Sequence, residues 1–392
     1  MSNKVFNILS LFSGGGFLDI GFINQGFQIK EAVEIEPYFV EAYNYGMQTY
    51  FDKTSNKWVK NKKISHLKIE STTDASNTKQ QARLGKTHQN ITGIIGGPPC
   101  QDYSKAGKNA GIKGDKGKLI LSYLQIVKKV QPSFIFFENV EGLVSNHAHK
   151  ASFEKLVNKI EKAGYIVWHT VLNALEYGVP QDRPRIALIG FKTEIVSALI
   201  NKGYVLEKDN QKLKNSVLQN YVFEWPSVKY LAPKKLNWPG SWKFKSKKNI
   251  TRTNAIREYD CLTVKNAFKG LTKKTANQNE HFNPRSAKFT QIDEGDTNRK
   301  SFKRLHRYKY SPTAAYGNNE VHLHPTKARR LTVREALRLQ SVPDEYELPS
   351  SLSLTHKFKI ISNGVPTVKA ELIAAEIRRT LENYLKINGH LD

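Results

Sequence analysis

Four short strand-like runs constrain the fold more than any other feature of this chain. Val5 to Phe12, Glu31 to Val33, Ile91 to Ile95 and Phe134 to Phe137 each stop abruptly, on Gly14-Gly15-Gly16, on Glu34, on Gly96-Gly97-Pro98-Pro99-Cys100 and on Glu138. Helical spacing lies between and after them. Leu119, Tyr123, Ile126, Val127 and Val130 recur at helical intervals until Pro132 stops the run. Phe153 to Lys162 reads as a helix closed by Gly164, and Ile186 to Phe191 as a further strand. Such alternation predicts an α/β domain with a largely parallel sheet and helices on both faces. In sheets of this kind ligands sit outside the carboxyl ends of the strands. The glycine loop, Glu34, Cys100 and Glu138 all follow strands, so they converge on one edge although they span 125 residues.

Two stretches break the rhythm. Residues 51–90, rich in Asn, Thr, Ser, Lys and Gln, read as a long polar insertion between strands. Residues 193–328 are basic, aromatic and turn-rich. Order returns at Leu331, where Thr332 can cap a helix from Val333 to Gln340 with Glu335 at the capping-box position. A last helix is predicted from about Val368 to Leu385. The net charge is +26, and residues 191–330 hold 29 Lys and Arg against 11 Asp and Glu, so +18 of it lies there. Such a field attracts a polyanion. Within it Lys234, Lys235, Lys243, Lys245, Lys247, Lys248, Arg252 and Arg257 interleave with Trp238, Trp242 and Phe244, a mixture suited to phosphate contact and stacking on bases.

Two cysteines, Cys100 and Cys261, make no disulfide framework and have no metal-ligand spacing, so no metal is expected. No apolar run approaches the roughly 20 residues of a membrane span, and the N-terminus lacks a signal-peptide pattern. A cytoplasmic protein with no membrane contact is expected.

Each candidate residue has an ordinary reading beside its chemical one. The glycine turn can admit a ligand to backbone that carries no Cβ. It is not the dinucleotide fingerprint, because Asp19 takes the third glycine position. Glu34, at a strand end, can accept from ribose hydroxyls or be merely solvated. A lone cysteine is more often a small buried hydrophobe than a nucleophile. The rigid Gly-Gly-Pro-Pro approach is nevertheless a poor place to bury one. A free thiol is mostly protonated at neutral pH, and Arg183 and Arg185, alternating along an extended segment, would supply the positive field that thiolate chemistry needs. Glu138 follows four apolar residues, where a carboxyl must be paired or protonated. It is either a structural acceptor or a proton and hydrogen-bond donor.

In combination the pieces are far more specific. Phe12-x-Gly14-x-Gly16, Pro98-Pro99-Cys100-Gln101, Glu138-Asn139-Val140 and Gln181-x-Arg183-x-Arg185, in this order, resemble the DNA cytosine-5 methyltransferase family of bacterial and phage restriction-modification systems. Arg330 to Glu335 with Pro343-Asp344 is similar to that family's ninth motif, and Asn363-Gly364-Val365-Pro366 to its tenth. The resemblance implies a Rossmann-like methyltransferase sheet plus a smaller basic target-recognition domain. Residues 1–192 and 355–392 would form the catalytic domain, 193–328 the recognition domain, and 329–354 a hinge carrying the ninth motif.

It also implies roles. Phe12, Gly14, Gly16, Glu34, Ile35, Pro98, Leu119, Asn363 and Val365, with Asp74 after the second motif, would hold S-adenosylmethionine. Cys100 would attack C6 of a cytosine swung out of duplex DNA, and Glu138 would bind its N3 and amino group. Arg183 would hold the base or its phosphate, and Arg185 would support Glu138. Gln101, Ser104, Lys116 and Gln181 would face the DNA. A monomer is expected, with a cognate endonuclease as functional partner. Three departures stand out: Lys116 replaces the usual arginine, Ser362-Asn363-Gly364 replaces Gly-Asn-Ser or Gly-Asn-Ala, and the 51–90 insertion is long. The alternatives are an RNA cytosine methyltransferase, whose branch carries a smaller recognition region; a silent DNA-binding relative, which would be expected to lose Cys100 or Glu138; and a nucleotide-dependent oxidoreductase, which explains neither Cys100 nor the basic middle.

Overall fold

In the computed structural model, residues 3–99, 117–203, 223–246, 258–283, 286–316 and 320–391 are described. The candidate residues Cys100, Gln101, Ser104 and Lys116 lie outside them. Strands β1 (Phe6–Leu11), β2 (Phe27–Val33), β3 (Gly93–Gly96), β4 (Phe134–Val140), β5 (Tyr165–Asn173) and β6 (Pro184–Lys192) form one sheet in the order β2-β1-β3-β4-β6-β5. The first four are parallel, and β6 runs antiparallel to both β4 and β5.

Helices α1 (Phe17–Asn24), α2 (Pro37–Lys53), α3 (Lys57–Lys60), α4 (Thr78–Thr87), α5 (Gly117–Val130), α6 (Gly142–Ser145), α7 (His147–Glu161) and α8 (Thr193–Asn201) follow the strands. The short α9 (Val264–Ala267) and α10 (Lys288–Gln291) belong to the basic middle. The chain closes with α11 (Val333–Leu339), α12 (Leu354–Asn363) and α13 (Thr367–Ile387).

Strand side chains alternate between the two faces of the sheet, as the two-residue period requires. Phe6 and Ile8 of β1, Ile95 of β3, and Phe134 and Phe136 of β4 join one core with α1, α2, α8 and α13. Leu9, Leu11, Ile94, Ile135 and Phe137 join the other, with α4, α5 and α7. Both faces are therefore covered, as predicted. Helix α8, the first element after residue 192, buries Ile195, Val196 and Leu199 in the same core as Trp168 and Phe191. The predicted capping box also forms: Thr332 accepts from the Glu335 N–H while the Glu335 carboxylate accepts from Thr332 N–H.

Two strand boundaries move, one strand is added, and α7 begins six residues before Phe153. The second strand begins at Phe27, because a bulge at Lys30 shifts its register on β1 and breaks the alternation. The fourth strand continues through Glu138 to Val140. Strand β5 was not predicted and forms the sheet edge. The 51–90 segment is less polar in effect than in composition, since Trp58, Val59, Ile64 and Ile69 are buried in the sheet core. The Trp58 ring packs under Gly26 and lies 4.5 Å from the Arg378 guanidinium.

Candidate active site

The first strand turns into the site through strained backbone. Phe12 has φ 55, a conformation few non-glycine residues adopt, and Gly14 and Gly16 follow at φ 55 and 82. This turn puts the Gly14 N–H 2.9 Å from Glu34 Oε2, while Oε1 accepts from Ile35 N at 2.9 Å and Glu36 N at 3.0 Å. Glu34 is buried, which pushes its carboxyl above the ordinary glutamate value against these three donors. Beside it Ile35 is 53% exposed. An exposed isoleucine next to a backbone-held carboxylate suits a ligand with an apolar ring and a polyhydroxyl part. Thr73 N donates to Glu34 O at 2.7 Å, which brings Asp74 to the same strand end. Asp74 Oδ1 accepts from Ser76 N and Oγ. Phe12 and Leu119 are half-buried at the rim, Asn363 is exposed, and Val365 is buried.

Asp19, which entered the sequence reading only as the residue breaking the fingerprint, fastens this loop from behind. It accepts from Ser10 Oγ at 2.7 Å and Tyr43 OH at 2.9 Å, and burial pushes it up to about 7. The tenth-motif departure also has a physical reason. A Cβ at Gly364 would stand 2.1 Å from the Phe17 ring, so a serine or alanine there would force the side chain at 17 to shift.

The second half of the site lies at the far end of β4. Glu138 is buried inside the strand and Val140 pairs with Arg185, the second residue of β6. Because β6 runs against its neighbours, its start rather than its end reaches the ligand edge. Arg185 Nε stands 3.8 Å from Glu138 Oε1. Asn139 Nδ2 donates to Pro98 O at 3.2 Å and its Oδ1 accepts from Val140 N at 2.9 Å, tying the end of β4 to the turn that leads into Cys100. Pro98 is buried, and Gly97 faces Glu138, with Oε2 3.6 Å from where a Cβ would sit.

Two of the expected contact residues are committed to backbone in this arrangement. Arg183, nearly fully buried, donates to Ala314 O, Ser362 O and Gly364 O at 3.3, 2.9 and 2.9 Å. It thereby holds the loop of Asn363 and Val365 against the sheet. Gln181 is fully buried, donating to Leu339 O at 3.1 Å and accepting from Ala314 N at 3.1 Å.

The basic middle folds as a small lobe. Strands β7 (Phe302–Arg304) and β8 (Val321–Leu323) pair in parallel, and Phe289, Ile292, Val321 and Leu323 make a separate core. Arg304, fully buried, donates to the carbonyls of Phe289, Ile292, His324 and Lys327 and lies 4.0 Å from the Phe244 ring centre. The lysine–aromatic interleaving has a period of two. Lys243 and Lys245 point out, while Trp242 donates to Glu294 Oε2 at 2.8 Å and Phe244 covers Arg304. The aromatics serve the lobe's interior and the lysines its surface.

Residues 6–379 match the model of the C-5 cytosine-specific DNA methylases. The chain belongs to this family. It is 40% identical to the type II methyltransferase M.NmeDI of Neisseria meningitidis serogroup C, over 96% of this chain and 84% of that one. It is 30% identical to M.FnuDI of Fusobacterium nucleatum, over 98% and 97% respectively. Among solved structures, the fold resembles the S. pombe Dnmt2 methyltransferase, with a TM-score of 0.52 and 15% identity over 97% of this chain and 99% of the other. The Entamoeba histolytica methyltransferase EhMeth gives 0.53 at 14% identity, covering 98% of both. Among the described residues no helix is long and apolar enough to cross a membrane.

For this C-5 cytosine methylase, one site residue was missed altogether. Lys369, at the start of α13, places its ammonium 3.6 Å from Glu138 Oε1. A signal existed: it shares a helical face with Ile373 and Ile377 at four-residue spacing, and both of these are buried.

Proposed function

We propose that the chain transfers a methyl group from S-adenosylmethionine to carbon 5 of a cytosine turned out of a specific duplex DNA sequence, as the modification enzyme of a restriction-modification pair. The observation that carries this reading is the buried carboxyl of Glu138, with Arg185 on one side and the Gly97–Pro98 turn into Cys100 on the other. Phe12, Gly14, Gly16, Glu34 and Ile35 fit the cofactor, with Asp74, Pro98, Leu119, Asn363 and Val365 completing its surroundings. When bound there, S-adenosylmethionine supplies an electrophilic methyl group on a sulfonium. Glu34 would take the ribose hydroxyls on lone pairs left free by its three backbone donors, and Ile35 would cover the adenine.

The remaining chemistry belongs to the chain. The base must leave the stack because C5 and C6 are unreachable within it. Cys100, as thiolate, would bond to C6, and the C5–C6 double bond would open toward the N3 side. Glu138 would hold a proton at N3 and accept from the amino group, offsetting the charge that reaches the ring. Carbon 5 is then nucleophilic, and once it is methylated, loss of its proton re-forms the double bond and releases the Cys100 sulfur. Arg185 would keep the Glu138 carboxyl oriented. Arg183, in its described position, would act through the Asn363–Val365 loop. Gln101, Ser104, Lys116 and the outward lysines of the lobe would contact the duplex, and the protein would work as a cytoplasmic monomer.

Bisulfite sequencing of DNA from cells expressing the chain identifies the target. A duplex carrying 5-fluorocytosine at that position should then trap a protein–DNA adduct, because fluorine does not leave as a proton does. Cys100→Ser should form none while still binding the duplex. Full methylation by Cys100→Ser would end the covalent reading.

A further inference from the structure

Lys369 has no place in the chemistry above, yet the fold holds it at considerable cost. It is 1% exposed, and lysine is almost never so buried unless paired. It occupies the first turn of α13, the end of a helix that disfavours a cation. The groups facing it are Glu138 of β4 and, leading into and opening β6, Arg183 and Arg185. Burial pushes its ammonium down to about 8, with Glu138 pulling the other way and the two arginines adding to the fall. Among the described residues neither Lys369 Nζ nor Glu138 Oε1 has a hydrogen-bond partner. Two facing buried polar atoms in that state are rare in folded proteins.

The geometry divides the Glu138 carboxyl in two. Oε1 lies between Lys369 Nζ at 3.6 Å and Arg185 Nε at 3.8 Å. Oε2 lies toward Gly97 and the turn into Cys100. We propose that Lys369 is a positioning residue: together with Arg185 it holds Oε1 and so sets the angle at which the carboxyl, Oε2 foremost, meets the edge of the cytosine. This rests on the reading of Glu138 as the carboxyl that binds the base. Both distances exceed hydrogen-bond length, as those of catalytic groups often do before substrate enters.

The test uses the full chain on a duplex bearing its mapped target, with turnover and DNA KM measured between about pH 6.5 and 9.5. Wild-type turnover should fall on the alkaline side of about 8, as Lys369 loses its proton. Lys369→Met should lower kcat about 10- to 100-fold with DNA KM changed less than about threefold, and should abolish the alkaline fall. Lys369→Arg should recover most of the rate and move the fall to higher pH. A folded Lys369→Met protein with wild-type kcat and an unchanged profile overturns the proposal. If that variant does not fold, an unmoved profile in Lys369→Arg overturns it instead. Glu138→Gln separates the two levels. Near-wild-type turnover there removes the reading of Glu138 and this inference with it, whereas an inactive Glu138→Gln beside a fully active Lys369→Met removes only the role of Lys369.

Discussion

Around the six-stranded sheet, burial is carried by two layers of Phe, Ile, Leu and Val, and Asp19, caught inside, is pushed up to about 7. In the lobe between 286 and 328, four apolar side chains surround Arg304, which burial pulls down only to about 10, so that it stays charged at neutral pH. The sheet meets the buried carboxyl of Asp19 by neutralising it, and holds its own buried arginines, Arg183 and Arg378, on backbone carbonyls. The lobe keeps its charge and aims backbone carbonyls at it. A region with ample apolar surface adds such arginines to a core that apolar contacts already make. A small basic one, with Lys243 and Lys245 on its outside, folds around hydrogen bonds instead.

The contrast can be broken at four places. Phe136→Ala opens a cavity between Phe22 and the central strand and should cost about 3–5 kcal/mol of global stability by denaturant titration. A loss confined to one helix would show that the sheet core is not one cooperative unit. Asp19 comes next. Folded, it keeps its proton to about pH 7; unfolded, it releases it near 3.8. Between those values the native state binds the extra proton, so stability should fall as pH rises from about 4 to about 7 and level off above. Asp19→Asn should flatten that slope and raise stability at pH 8 by up to about 4 kcal/mol; an unchanged slope would mean that Asp19 is ionised in the fold.

Arg304→Met leaves four carbonyls without their donor and should cost the lobe about 3 kcal/mol. Amide exchange should rise in 286–328 and duplex affinity fall, while the sheet keeps its protection. Loss of protection everywhere would erase the distinction between the regions. The smallest effect is steric. Gly364 has φ −67, which any residue adopts, so Gly364→Ala should cost about 1–3 kcal/mol through the Phe17 clash alone. Phe17→Ala in the same chain should recover most of it, and additive costs would deny that the two positions compensate.

The same contrast explains what the sequence disclosed. Strands β1, β3 and β4 are legible because their apolar runs end on Gly, Pro or Glu, and those endings line the candidate site. The register of β2 was hidden by the bulge at Lys30. Strand β5 was hidden because it is an edge strand mixing His169 and Thr170 with apolar residues, a pattern weaker than a central strand's. Glu138 and Arg185 could be named from type and order, but their proximity depends on β6 running antiparallel, which no residue announces. Lys369 was passed over because a lysine at a helix start reads as solvated. In the lobe, Arg304, one of 29 basic residues with nothing in the sequence to single it out, is the centre, and Trp242 and Phe244, which looked available to bases, are occupied within. Composition located the basic region correctly and said nothing of its interior.

The pairing of Val140 with Arg185 across β4 and β6 has one more consequence. Carboxyl and guanidinium are set apart by a ladder of backbone bonds, not by the 46 residues of chain between them. A change in the length of those connections would therefore leave the pair where it stands, as long as the register of β4 on β6 is kept.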